Sequence, residues 1–331
     1  MLLPVSNDSS WGYIDESGRL VIPFQFSEAS PFSDGLARVS TDGGFGEAFI
    51  DESGELAIPG PPKEWQHYAR DIELRDLGER NWVYENFSEG MAAIKFDPSM
   101  PKVGFINQQG KLILPTDYRV AYSFSEGLAF VETLRFPQAC GFIDKLGSLV
   151  VELDAEAFTQ RYSQGRARFR DRSGQWGFFD EAGDVVIEAS FTWAEDFKNG
   201  RACVTRSGKC GFVNLMGELV VPLEYDTASS FSNGVAAVAG RRGTVLIDIN
   251  GEVVAPIEPA TADLEIVDAC ENGFFRVCTV DGKYGVVDSK GKLTVATKYD
   301  ELDAYGRGFF LVRTDDHWAY LNASGETIWE Q

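Results

Sequence analysis

Histidine is almost missing from this chain, with only His67 and His317 among 331 residues. That scarcity excludes a His-rich metal site. No Gly-x-Ser-x-Gly elbow and no phosphate-cradling loop is present either. Long apolar runs are lacking too: nothing approaches the ~18 residues of a membrane-crossing helix, so no membrane span is expected. The opening Met1-Leu2-Leu3-Pro4-Val5-Ser6 has neither a basic segment nor a sustained apolar core, and is not expected to act as a signal peptide. Positive charge is in short supply: 30 Lys+Arg face 51 Asp+Glu, a formal charge of −21. Such a chain repels phosphate backbones, so nucleic acid is not an expected partner, whereas a basic protein is. The five cysteines, Cys140, Cys203, Cys210, Cys270 and Cys278, are odd in number and match no zinc-ribbon spacing. They read as small core hydrophobes in a reducing cytoplasm rather than as bridges. No cofactor, metal or catalytic set is expected. Carboxylate pairs such as Asp15-Glu16, Asp51-Glu52 and Asp180-Glu181 fall in turns and should face water, where acid–base catalysis has no displaced pKa to use.

What the chain does have is a phrase repeated nine times: an apolar strand ending in Asp or Asn, two variable residues, then glycine. The glycines are Gly18, Gly54, Gly110, Gly147, Gly183, Gly217, Gly251, Gly291 and Gly325, at spacings of 36, 56, 37, 36, 34, 34, 40 and 34. A period of this size reads as a solenoid or propeller. The phrase has a direct physical cause. A side-chain oxygen at the first position accepts from backbone amides further on, and glycine adopts the left-handed conformation cheaply, which joins two antiparallel strands. One or two carboxylates per loop fall far short of the six to eight oxygens of a calcium site.

The sixth copy reads most clearly. A strand at Arg201-Ala202-Cys203-Val204 turns into Cys210-Gly211-Phe212-Val213-Asn214, and a third strand, Glu218 to Val221, is expected to stop at Pro222. A connector follows, with Phe231-Ser232-Asn233-Gly234 echoing Phe32-Ser33-Asp34-Gly35, and its start is expected to add a short edge strand. A meander of three or four short strands cannot bury its own face, so stability must come from stacking on its neighbours. The expected fold is all-β: tandem antiparallel β-meander repeats in propeller-like packing or, as the alternative, an open curved β-superhelix. The array spans 1–331, in units of roughly 1–35, 36–90, 91–127, 128–165, 166–200, 201–234, 235–273, 274–308 and 309–331.

The second strand of several units opens on Trp-Gly, as at Trp11-Gly12 and Trp176-Gly177, with degenerate forms Val103-Gly104, Cys140-Gly141, Cys210-Gly211 and Tyr284-Gly285. With the Phe-Ser-x-Gly phrase and the proline after the third strand, these residues resemble the WG-repeat family of bacterial tandem repeats, in about nine degenerate copies. Glu47-Ala48 and Thr244-Val245 depart most from the pattern. The resemblance implies a binding or scaffold module and brings no catalytic residues.

Two places are candidates for a partner. The 56-residue spacing holds an insertion at 60–82, in which a short helix near 63–77 is expected. Its Trp65, His67, Tyr68 and Arg70, with Trp82 beyond, are the anchor types of binding surfaces. The second is a rim formed by the turn after each aromatic anchor, where Asp34, Glu89 and Glu126 make the N-terminal part acidic. The expected function is a non-enzymatic protein-interaction module. The alternatives are an immunity-type inhibitor of a basic toxin and a carbohydrate-binding repeat protein with sugars stacked on Trp65 or Trp82.

Overall fold

The nine Asp/Asn-x-x-Gly phrases all fold into the same turn. In each, the glycine amide donates to the carbonyl of the Asp or Asn three residues back, at 2.9–3.0 Å. The side chain then caps the turn: Asn214 Oδ1 accepts from the amides of Met216 and Glu218, both at 3.0 Å. Asp15 does the same for Ser17 at 3.0 Å and Arg19 at 3.1 Å. Every one of these glycines has positive φ, for example 83° at Gly217.

These turns lie in a computed structural model that describes the chain except residues 8, 41–46, 60–82, 96–101, 135–139, 154–160, 242 and 258–263. The helix expected near 63–77 therefore falls outside the described residues. The rest is all-β, and it divides into two compact units, Met1–Arg161 and Tyr162–Gln331.

The first unit holds a three-stranded sheet (Leu3–Asn7, Ser10–Ile14, Leu20–Phe26) and a four-stranded one (Glu28–Ala29, Leu36–Ser40, Glu47–Asp51, Leu56–Ile58). A seven-stranded sheet follows, running from Val83–Tyr84 to Leu149–Leu153. In it two meanders merge, because Leu112–Ala121 is the last strand of one and the first of the next. Elsewhere a single bend at Ser27, Thr192, Asp226 or Asp300 separates those roles. Arg119 takes that place here, stays extended, and forms an ion pair with Glu132 of the adjoining strand. The second unit is five four-stranded antiparallel meanders, beginning with Tyr162–Ser163, Trp193–Ala194, Thr227–Ala228, Leu264–Ala269 and Glu301–Ala304.

Within each unit consecutive sheets stack face to face in propeller fashion, and the core lies between them. One face of the Arg201–Arg206 meander sends Ala202, Val204 and Val213 against Phe178, Ile187 and Phe191 of the preceding sheet. The other face sends Cys203, Phe212 and Val221 against Phe231, Ala236, Val238 and Ile247 of the next. This is period-2 alternation with both faces buried. Several interfaces are pinned by an edge-to-face aromatic pair between a second-strand ring and the Phe of the following connector. Centroid distances are 4.8 Å for Phe49–Phe87, 5.0 Å for Phe105–Phe124, 4.9 Å for Phe178–Phe197 and 4.8 Å for Phe212–Phe231.

The third strand does not, in most units, stop at its proline. Leu219–Tyr225 runs on through Pro222, and its pairing jumps: Phe212 faces Val221, but Cys210 faces Tyr225. Two extra residues therefore bulge opposite Gly211. The same jump occurs opposite Gly12, Gly104, Gly177 and Gly285. Proline fits a bulge because it has no amide to pair there. The glycine fits because the bulged backbone leaves no room for a side chain: a Cβ at Gly211 would lie 2.5 Å from Val221 O. Where Ala48 or Val245 replaces that glycine, the strands Leu56–Ile58 and Val253–Pro256 do end at the proline. The Trp column is half-buried at Trp11, Trp176 and Trp318.

The turn carboxylates carry an acid-sensitive prediction. Hydrogen bonding by Ser17, then by the Arg19 amide and guanidinium, lowers the Asp15 pKa to about 2. Unfolded aspartate takes up its proton near pH 4. The native state thus holds the proton less tightly, so the turn's contribution is full above about pH 4 and is lost as pH falls towards 2. Carbon-detected titration is expected to place the Asp15 midpoint near 2, and Asp15→Asn should keep the turn without the acid loss. A midpoint near 4 would contradict the capping role.

Candidate interaction rim

Six of the rim turns are two-residue hairpin loops. At Ser33-Asp34-Gly35-Leu36 the amide of Ser33 donates to the Leu36 carbonyl at 2.8 Å, and the amide of Leu36 donates back at 3.1 Å. Asp34 and Gly35 both have positive φ, 52° and 79°, the signature of a type I′ turn. Eight exposed residues sit at this left-handed position: Asp34, Glu89 and Glu126 in the first unit, and Gln164, Asn199, Asn233, Asn272 and Arg307 in the second. At Asn272 and Arg307 the loop is closed one residue wider, the amides of Cys270 and Tyr305 donating to the carbonyls of Phe274 and Phe309, both at 2.8 Å. Across the eight positions the side chain changes from acid to carboxamide to cation.

These side chains also join neighbouring sheets. Asp34 Oδ2 accepts from the Gly90 amide at 2.7 Å, and Glu89 Oε2 accepts from the Gly127 amide at 2.9 Å. In the second unit Gln164 Oε1 accepts from Gly200 at 2.7 Å and Asn199 Oδ1 from Gly234 at 3.0 Å. The serine of the phrase adds a second link. Ser33, Ser88 and Ser163 donate to the carbonyls of Phe87, Phe124 and Phe197 at 2.6, 2.7 and 2.7 Å. Ser232 donates to the Cys270 carbonyl at 2.6 Å and accepts from the Gly273 amide at 2.9 Å.

Asp34 and Glu89 are each engaged with the following turn of the fold. Partial burial pushes the Glu89 carboxyl up, but the Lys145 ammonium and the amides of Gly127 and Glu126 outweigh it and leave its pKa below the ordinary range. Lys145 pairs with Glu89 Oε2 at 3.2 Å and also donates to its carbonyl at 2.9 Å. Asp34 keeps Oδ1 without a partner among the described residues. Sequence reasoning missed Lys145 and Gln108, the latter donating to the Asp34 carbonyl at 2.8 Å. Their signal was available: both directly follow the first residue of an Asp/Asn-x-x-Gly turn. Trp65, His67, Tyr68, Arg70 and Trp82 lie outside the described residues.

In the second unit the rim turns surround a hollow of about 450 Å³, lined by Gln164, Lys198, Asn199, Ser232, Asn233 and Asn272 among others. Among the described residues no group of three or more His, Cys, Asp or Glu is placed to hold a metal ion. No helix among them is long and apolar enough to cross a membrane.

Several solved structures are similar to this chain, and the first named here, with a TM-score above 0.5, shares its fold. The crystal structure of the eukaryotic initiation factor is 12% identical, matches 99% of this chain and 95% of its own, and gives a TM-score of 0.64. BamB from Moraxella catarrhalis is 10% identical over 98% of this chain and 92% of its own, with a TM-score of 0.42. The WD40 β-propeller domain of Doa1 is 12% identical over 70% of this chain and 88% of its own, at 0.34. No curated protein matches significantly. Five segments, residues 11–45, 104–133, 176–210, 211–239 and 284–318, together just under half of the chain, match the model of the WG containing repeat.

Proposed function

We propose that this protein is a non-enzymatic protein-interaction module in which all nine turn-bearing meanders are WG repeats. The observation that carries the reading is the rim of each unit: turns with a left-handed residue at one position present exposed side chains whose chemistry varies from copy to copy. A scaffold held constant by its own hydrogen bonds, with variable residues at fixed positions, is the arrangement of a display surface. The partner is a basic protein, since the chain carries a formal charge of −21 and opposite charge steers association. That charge also favours a narrower reading, an immunity-type inhibitor of a basic toxin.

The test is affinity capture with the full chain, identification of the bound protein, and calorimetry on the purified pair at about 50 and 300 mM salt. Affinity is expected to fall roughly tenfold or more across that range, because screening shortens the reach of charge. Salt-insensitive binding would remove the electrostatic reading. Turnover of a small molecule with no protein captured would remove the module itself.

A further inference from the structure

Two cysteines of the second unit occupy a pair of repeat columns that elsewhere hold a cation over an aromatic ring. The third residue after the rim glycine is Arg168 in one meander and Arg276 in another. Their guanidinium carbons lie 5.3 Å from the Trp176 ring centre and 5.7 Å from the Tyr284 ring centre. In the first of the two meanders between them the same two columns contain Cys203 and Cys210. The fold thus brings these columns into side-chain contact, and here it brings two thiols together.

Strand register explains the contact. Cys203 faces Phe212 and Thr205 faces Cys210, so the two cysteines lie diagonally on one face of the paired strands Arg201–Arg206 and Lys209–Asn214. Right-handed sheet twist draws such diagonal neighbours together. Cys203 is 4% exposed, whereas Cys210 is half-buried and open to small molecules. Cys203 Sγ lies 3.9 Å from the Ala228 carbonyl; Cys210 Sγ is 3.5 Å from Thr205 Oγ1 and 3.6 Å from the Asp226 carbonyl. Both thiols are reduced.

We propose that Cys203 and Cys210 form an oxidative modification site that takes a hydroperoxide and closes to a disulfide across the two strands. Cys210 is the attacking thiol. The neighbouring Cys203 thiol, then the Thr205 hydroxyl, draws its pKa down to about 6, while the Cys210 sulfur and burial push Cys203 up. The Cys210 thiolate attacks the distal peroxide oxygen and breaks the O–O bond, giving a sulfenic acid and releasing the alcohol (water, for hydrogen peroxide) once the leaving oxygen is protonated. The Cys203 sulfur then attacks the sulfenic sulfur, the S–S bond forms, and the sulfenic oxygen leaves as water with the Cys203 proton. Two thiols lose two electrons and the peroxide gains them. The bridge costs the thiol contacts to the Asp226 and Ala228 carbonyls, which flank and begin the next sheet. The site stands independently of the partner reading.

The experiment treats the full chain with hydrogen peroxide, blocks remaining thiols, and maps the peptides by mass. The expected product links Cys203 to Cys210 with the loss of two hydrogens, lowers the free-thiol count from five to three, and reverts with dithiothreitol. Before oxidation Cys210 should alkylate at neutral pH roughly tenfold faster than Cys278, whose pKa is raised by desolvation. C203S should leave a sulfenic acid at Cys210 that dimedone traps, with no link. Wild-type mapping decides alone if that variant misfolds. Five intact thiols after peroxide, a bond from Cys210 to Cys270 or Cys278, or a stable sulfenic acid in the wild type would each overturn the proposal.

Discussion

Gly211→Ala is expected to cost about 3 kcal/mol, far more than adding a methyl to a surface strand. The new Cβ would lie 2.5 Å from Val221 O, 2.8 Å from Pro222 O and 2.9 Å from Pro222 C. All three are backbone atoms of the bulge, so no rotamer change relieves the clash, and the third strand must move. That strand carries Val221, which is 1% exposed and packed in the cluster joining this sheet to the next. The strain therefore reaches the interface. For a cooperative unit of about 170 residues the loss corresponds to roughly 6–12 °C in melting temperature. Gly208→Ala is the control. Nothing lies within 4 Å of a Cβ there, and only its φ of 73° opposes the change, so about 1 kcal/mol is expected. Equal losses for the two variants would show that the bulge makes no special demand on Gly211.

The same glycine explains which parts of the fold were legible in the sequence. The Asp/Asn-x-x-Gly turn was readable because its cause is local: one side-chain oxygen and one left-handed glycine determine it within five residues. The bulge was not readable, because Pro222 looks like a strand end until the strand opposite is known to carry Gly211. Five units show the register jump, opposite Gly12, Gly104, Gly177, Gly211 and Gly285. The five segments matching the WG repeat begin at residues 11, 104, 176, 211 and 284, at that same place in the same five units. Units with Val245 or Ala319 at this position keep the turn and lose the jump. The family signature thus follows the bulge, whereas the nine-fold turn is the wider physical repeat.

The rim was legible as a row of positions but not as a set of bonds. Sequence places Asp34, Glu89 and Glu126 at equivalent turns, yet nothing local shows that Asp34 reaches a glycine amide 56 residues away. Nor does it reveal why serine recurs before these residues. The hydroxyl gives a part-buried carbonyl of the next connector a donor, as buried polar groups are generally paired. In the meander where Lys198 replaces the serine, the Asn199 carboxamide still accepts from Gly234. The two links of the phrase are separable.

Ser232→Ala tests that linkage where it is strongest. Ser232 is 9% exposed, and its hydroxyl donates to the Cys270 carbonyl at 2.6 Å while accepting from the Gly273 amide at 2.9 Å. Alanine leaves a buried donor and a buried acceptor unpaired, each costing about 1–3 kcal/mol, so a total near 3 kcal/mol is expected. Ser17→Ala supplies the comparison: its hydroxyl bonds Asp15 Oδ1 at 2.5 Å in an exposed turn, and water replaces that bond for about 0.5 kcal/mol or less. Hydrogen exchange gives the local readout. In Ser232→Ala the Gly273 amide should exchange at least tenfold faster, as the sheet beginning at Thr227–Ala228 separates more easily from the one beginning at Leu264–Ala269. Amides inside each sheet should change only by the global loss, because in a repeat array each interface contributes its own free energy between neighbours. Unchanged protection at Gly273, with a denaturation midpoint matching Ser17→Ala, would mean that the aromatic and aliphatic contacts hold the sheets together without the serine.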